Sequence, residues 1–137
     1  MLYGLNAFAG YSEIDQTAEY GDRAQYTVGA TYAIGGATIG YQWSKMENPG
    51  VGSFYENDAY GVSFSVNDNL SISYAKQDSE RHYEAGSKGT TLEADSIQVS
   101  YTVGGASIKV AEANVDNQNY VAGTNREGRT IALTLAF

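Results

Sequence analysis

The sequence has no cysteine, one histidine and one proline in 137 residues. Without cysteine there is no disulfide framework and no thiolate metal site. The lone imidazole, His82, lies in a polar stretch and argues against a protein-only zinc site or a His-based catalytic centre. Positive charge is scarce: 8 Lys and Arg stand against 16 Asp and Glu, a formal net charge of −8. Phosphate binding needs a basic surface, so a nucleic-acid partner is not expected. No apolar run approaches the length of a transmembrane helix. The opening "MLYGLNAFAGYS" lacks the basic start and unbroken apolar core of a secretory signal, and it alternates from the first residues.

The chain does have 16 glycines and 12 tyrosines, a composition suited to strands and tight turns. Its length bounds it to one domain or part of one. Apolar residues recur with a period of two, the spacing of a strand with two unlike faces. Eight strands are expected near 2–12, 24–34, 37–46, 57–66, 70–78, 94–103, 106–114 and 128–137. Short turns are expected at Gly35-Gly36, at Asn67-Asp68-Asn69 and at Gly104-Gly105, each suited to positive φ. Long connections are expected over 12–23, 47–56, 79–93 and 115–127, alternating strictly with the short turns. Such a meander keeps all short turns at one end of the sheet and all long loops at the other. That is the plan of an antiparallel up-and-down transmembrane β-barrel.

One face is apolar and rich in aromatics, running from Leu5 and Tyr11 through Val28, Trp43, Val62, Ile72 and Val99 to Ile131, Leu133 and Leu135. The other is Gly, Ser, Thr, Ala and Gln, with Lys109 its only mid-strand charge. A soluble sandwich also alternates, but its wet face normally carries many Lys and Glu. Aromatics gather towards strand ends: Tyr3, Tyr11, Tyr26, Tyr32, Trp43, Tyr74, Tyr101 and Phe137 are the expected lipid-interface girdle. Apart from Asp68, the acidic residues lie in or beside the long connections. Charges with lipid-facing parity (Lys45, Lys76, Asp95, Glu112 and Arg129) also fall at that end, at headgroup level.

A closed eight-stranded barrel is filled by its own inward side chains. Gly, Ser, Thr and Ala would underfill it and leave Lys109 buried alone, which is costly. Small uncharged residues suit the wall of a wide aqueous lumen instead. The alternating strands, the "GG" turns, the acid-rich loops and the terminal "TIALTLAF" resemble the C-terminal half of Gram-negative general porins, of the alphaproteobacterial, Rhodobacter type. The resemblance implies a segment of a 16-stranded barrel, usually trimeric, that passes small hydrophilic solutes by diffusion across the bacterial outer membrane. It also implies contact with outer-membrane lipid and lipopolysaccharide. The alternating end of the chain, Ile131, Leu133, Leu135 and Phe137, resembles the signal read by the barrel-assembly machinery, so the C-terminus is expected to be whole and any missing segment to precede Met1. The chain departs from that family in having half the strands and no identifiable constriction loop.

The expected pore-lining residues are Asn6, Gln25, Gln42, Gln98 and Lys109. Lys109 is either a cationic lining residue or a wall residue paired with a loop carboxylate. The acidic loops read as solvated, or as oxygen ligands for Ca²⁺ or Mg²⁺; "VDNQNY" lacks the Gly and closing Glu of an EF-hand loop. Their field leads to an expected mild cation preference. No catalytic residue, cofactor or resident metal is expected, although Asp78, Ser79 and His82 are close in sequence. Two alternatives stay open: a small closed eight-stranded barrel that anchors the envelope or displays adhesive loops, and a soluble lipocalin-like binder.

Overall fold

The computed structural model describes residues 4–15, 21–49, 52–83 and 86–135. They form one antiparallel sheet in chain order: β1 (Leu5–Ile14), β2 (Arg23–Ile34), β3 (Ala37–Asn48), β4 (Ser53–Ser65), β5 (Leu70–Tyr83), β6 (Leu92–Val103), β7 (Ala106–Asp116) and β8 (Arg126–Leu135). The sheet is not closed: β1 and β8 are its edges, and no ladder joins them among the described residues. The eight-strand, up-and-down meander matches the sequence expectation. Tyr3 and Phe137, expected in the girdle, lie outside the described residues.

The short turns hold their expected places. Gly35 and Gly104 have φ of 57° and 56°, and nothing lies within 4 Å of where a Cβ would sit. Backbone conformation, not space, therefore demands glycine in these two-residue hairpins. At the β4–β5 turn the Asn67 Oδ1 accepts hydrogen bonds from the backbone N–H of Asn69 and Leu70, each at 2.9 Å, a side-chain substitute for a backbone turn.

The opposite ends differ from expectation. β3, β4, β5 and β6 run several residues further, which shrinks the β3–β4 connection to 49–52, no longer than the 66–69 turn. The strict alternation of long and short connections fails at that point. The cause is cross-strand pairing among residues that look loop-like in the sequence: Phe54 opposes His82, Tyr55 opposes Arg81 and Glu47 opposes Phe54. Aromatic and charged partners of this kind hold a ladder together beyond the apolar segment.

Among the described residues there is no second layer. Among the described residues Ala24, at 8% exposure, is the only buried hydrophobic residue, while Val28, Ile39, Phe64, Ile97 and Ile131 are among the many exposed ones. The register gathers these onto one continuous face. A row of ladder partners runs Ile34, Ala37, Phe64, Ile72, Val99, Val110, Ile131 across β2–β8. An apolar surface crossing a whole sheet far exceeds what a monomer leaves open to water.

The same register measures the slope of that apolar band. Towards the long connections the outermost large apolar residue of this face is Tyr26 on β2 and Ile131 on β8. Ile131 shares its row with Ile34, eight positions further along β2 than Tyr26. Eight residues at ~3.3 Å, over six strand spacings of ~4.8 Å, make an angle of about 40°. The short turns climb in the same direction but less steeply. Ala37, at the first turn, shares its row with Val99, and the last turn begins four residues beyond, after Val103. The apolar band thus runs obliquely to the strands and is not of even height. It is tallest on β2 and thinner on β5 and β7, where it spans Leu70–Tyr74 and Ala106–Val110.

Candidate functional site

The face opposite the apolar band is concave. A cavity of about 540 Å³ is lined from Phe8 on β1, through Gln42, Gly61 and Gln77, to Val115 on β7. A second, of about 420 Å³, is lined by Gln25, Thr27, Gln42, Ser44 and Asn57 among others. The wall is open because its residues are small. At its β1 end the Phe8 ring lies over Gly29, where a Cβ would come within 2.4 Å of Phe8 Cζ and 2.8 Å of the Tyr41 carbonyl oxygen.

All five expected lining residues lie on this face, but they do not converge. Gln25 and Gln42 share the second cavity, and Gln25 Nε2 sits 3.6 Å from Met46 Sδ. Asn6 is opposite Thr31 at the β1 edge, and Gln98 lies between Ser73 and Ala111. Lys109 lies between Ser100 and Ala132, near the short-turn end. Among the described residues no carboxylate is within ion-pair distance of Lys109.

The long-connection end of the concave face holds residues that the sequence reading placed in loops. Ser79, only 4% exposed, donates to Asn57 Oδ1 at 2.5 Å and lies 2.7 Å from the Tyr120 hydroxyl. Tyr120 belongs to the β7–β8 connection and packs its ring 5.5 Å from that of Tyr55 on β4. This connection therefore leans inward over the concave face, although no constriction loop is recognisable in the sequence. Asn117 ties it down: its Nδ2 donates to the Thr91 carbonyl at 2.9 Å and its Oδ1 accepts from Gly123 N–H at 3.0 Å. Asn117, Asn119 and Tyr120 have φ of 55°, 57° and 59°, a conformation that non-glycine residues hold only when their surroundings impose it. Arg81 completes the group, its guanidinium 5.7 Å from the Tyr55 ring centre and 4.9 Å from that of Tyr83. Extending β5 by five residues beyond the expected boundary would have placed Ser79 and Arg81 on this face by parity.

On the convex face the apolar band meets an aromatic margin and then a charged belt. The Tyr11 and Tyr26 rings pack at 5.2 Å, tilted by 47°. The Tyr11 hydroxyl donates to Glu13 and the Tyr41 hydroxyl to Asp58, so rings in the band reach carboxylates above it. Trp43, Tyr60 and Tyr74 continue the margin on β3–β5; Tyr32 and Tyr101 lie nearer the short turns. Tyr41 and Tyr60 belong with these residues although they were not among the expected girdle. On β6–β8 the margin is aliphatic, at Ile97, Val110 and Ile131. Above it sit the ion pairs Lys45–Glu47 (2.8 Å), Lys76–Asp78 (3.3 Å) and Arg129–Glu112 (2.6 Å). Ile131, Leu133 and Leu135 are exposed on this face at the β8 edge.

Two further groups were open questions. Asp78 and His82 share the convex face, where His82 stacks on Phe54 at 4.6 Å with its Nε2 3.2 Å from carboxylates of both Glu56 and Glu80. Ser79 points to the concave face, so the three do not meet in a triad. Glu13, Asp15 and Asp22 each bring a carboxylate oxygen within 4.8 Å of the others, all exposed. That is a donor set for a hard cation, and nothing else around it argues for one.

The chain matches no protein-family model and no curated protein. No helix among the described residues is long and apolar enough to cross a membrane, which says nothing about strands. The established class is therefore an all-β protein built on one open, eight-stranded antiparallel meander.

Proposed function

We propose that this chain is part of the wall of an outer-membrane β-barrel that passes small hydrophilic solutes by diffusion. The observation that carries the reading is the continuous apolar band, whose long-connection edge the strands cross at about 40°, bordered by aromatics on β2–β5 and by charge. Barrel strands in outer membranes tilt by ~35–45° across an apolar band with aromatic girdles at both interfaces. A water-soluble sheet needs its apolar face covered by a second layer, and no such layer exists among the described residues. The concave face suits a wet conduit: its contacts are weak, polar and distributed, as conduction requires. The open β1 and β8 edges favour completion by further strands over an eight-stranded barrel closed on itself. On this reading the partners are outer-membrane lipid, lipopolysaccharide and the barrel-assembly machinery, and the homotrimer of the porins it resembles is the expected assembly.

The test is refolding into lipid vesicles followed by single-channel recording in a planar bilayer. Stepwise, ohmic current is the expected result. Solubility as a monomer without detergent, or insertion with no current, contradicts the pore.

A further inference from the structure

The register sorts charge by face. Every Asp and Glu within the strands falls on the convex, apolar-band face: Glu13, Asp58, Asp78, Glu93 and Glu127, for example, share parity with Tyr11, Tyr60, Tyr74, Ile97 and Ile131. The strand cations of that face, Lys45, Lys76 and Arg129, are each ion-paired there. The concave face carries four charged strand residues, Arg23, Arg81, Lys109 and Arg126, and all are cations. Arg23 opposes Ile14, Arg81 opposes Tyr55, Lys109 opposes Ser100 and Arg126 opposes Val115, so no acid faces any of them. Among the described residues none of the four has a carboxylate within ion-pair distance.

We infer that the concave face selects anions, so that the conduit carries small anionic solutes in preference to cations. This rests on the pore reading above and names its substrate class. Arg23, Arg81 and Arg126 stand at the long-connection ends of β2, β5 and β8; Lys109 lies towards the other end. A solute crossing the face meets positive charge near entry and again near exit. Arg81 is held in place by the Tyr55 and Tyr83 rings, and Arg23 by a hydrogen bond from its Nη2 to Asn48 Oδ1 at 3.2 Å. The chain's net charge of −8 argues the other way, and distance decides between them. An ion about 5 Å from a guanidinium and about 12 Å from a carboxylate behind the sheet, in salt with a Debye length of ~8 Å, feels the cation roughly sixfold more strongly. The convex acids are also partly neutralised by their own partners. The cation preference expected from composition is therefore reversed.

The experiment is the zero-current potential across a planar bilayer holding the full chain, under a tenfold KCl gradient. A chloride-to-potassium permeability ratio above one is expected, falling at least threefold in Arg23→Gln/Arg81→Gln/Arg126→Gln. Lys109→Glu guards against misfolding of the triple variant, because Lys109 is exposed and holds nothing in place. It should lower the ratio on its own. A ratio at or below one in the unaltered protein, or ratios indifferent to both variants, overturns the anion preference and leaves the pore standing. Absence of any current removes the pore and the preference together.

Discussion

Gly29 shows most directly how single residues set this wall. Any side chain there collides with the Phe8 ring and with the backbone of β3, and the second obstacle cannot rotate away. Gly29→Val should destabilise the sheet by about 2 kcal/mol, the scale of overpacking a filled site. Adding Phe8→Ala should recover only part of the loss, because the Tyr41 carbonyl remains. Urea midpoints in detergent micelles, followed by Trp43 fluorescence, check both. Parity alone puts Phe8 on the face of small residues. Its seat on Gly29 depends on the β1–β2 register, which no local pattern in either strand encodes. The same limit hid Tyr120, whose partners Ser79 and Tyr55 are distant in sequence.

At the scale of elements, the number, order and faces of the strands were legible because period-two alternation is strong over β1–β8. Their ends at the long connections were not. Residues 53–56 and 79–83 are polar and aromatic, so they look like loop, yet they pair as strand because each supplies the other's cross-strand partner. Three of the four concave cations lie outside the expected strands: Arg81 in the β5 extension, and Arg23 and Arg126 one and two residues before the expected starts of β2 and β8. This is why composition pointed to a cation-preferring conduit while the register points to the reverse. The two faces should respond oppositely to added charge. Val99→Arg, in the middle of the apolar band, should cost about 2–4 kcal/mol in a bilayer, the cost of a basic residue at lipid depth. Ser100→Arg, one residue along on the concave face, should cost well under half of that. Unfolding midpoints of the two variants in lipid vesicles decide the matter, and a reversed order would assign the faces wrongly.

For the whole molecule, the controlling fact is a sheet of eight strands with almost nothing buried. A chain this size in water gains its stability from a core, and here the apolar side chains share one face with no layer over it. On the proposed reading, lipid covers that face. On that same reading, the oblique apolar band with its charged border lies in a planar apolar medium and not against a rounded core. The most direct measurement uses the absence of native cysteine. Single cysteines are placed in turn at Ile72, Ser73, Gln98, Val99 and Ser100 of the vesicle-inserted protein. Reaction with a charged, membrane-impermeant thiol reagent and quenching of an attached fluorophore by a lipid-borne quencher are then recorded. The account predicts strict alternation, with Ser73, Gln98 and Ser100 reactive from water and Ile72 and Val99 quenched from lipid. Equal water access on both faces, or lipid quenching at Ser73, Gln98 and Ser100, would contradict it.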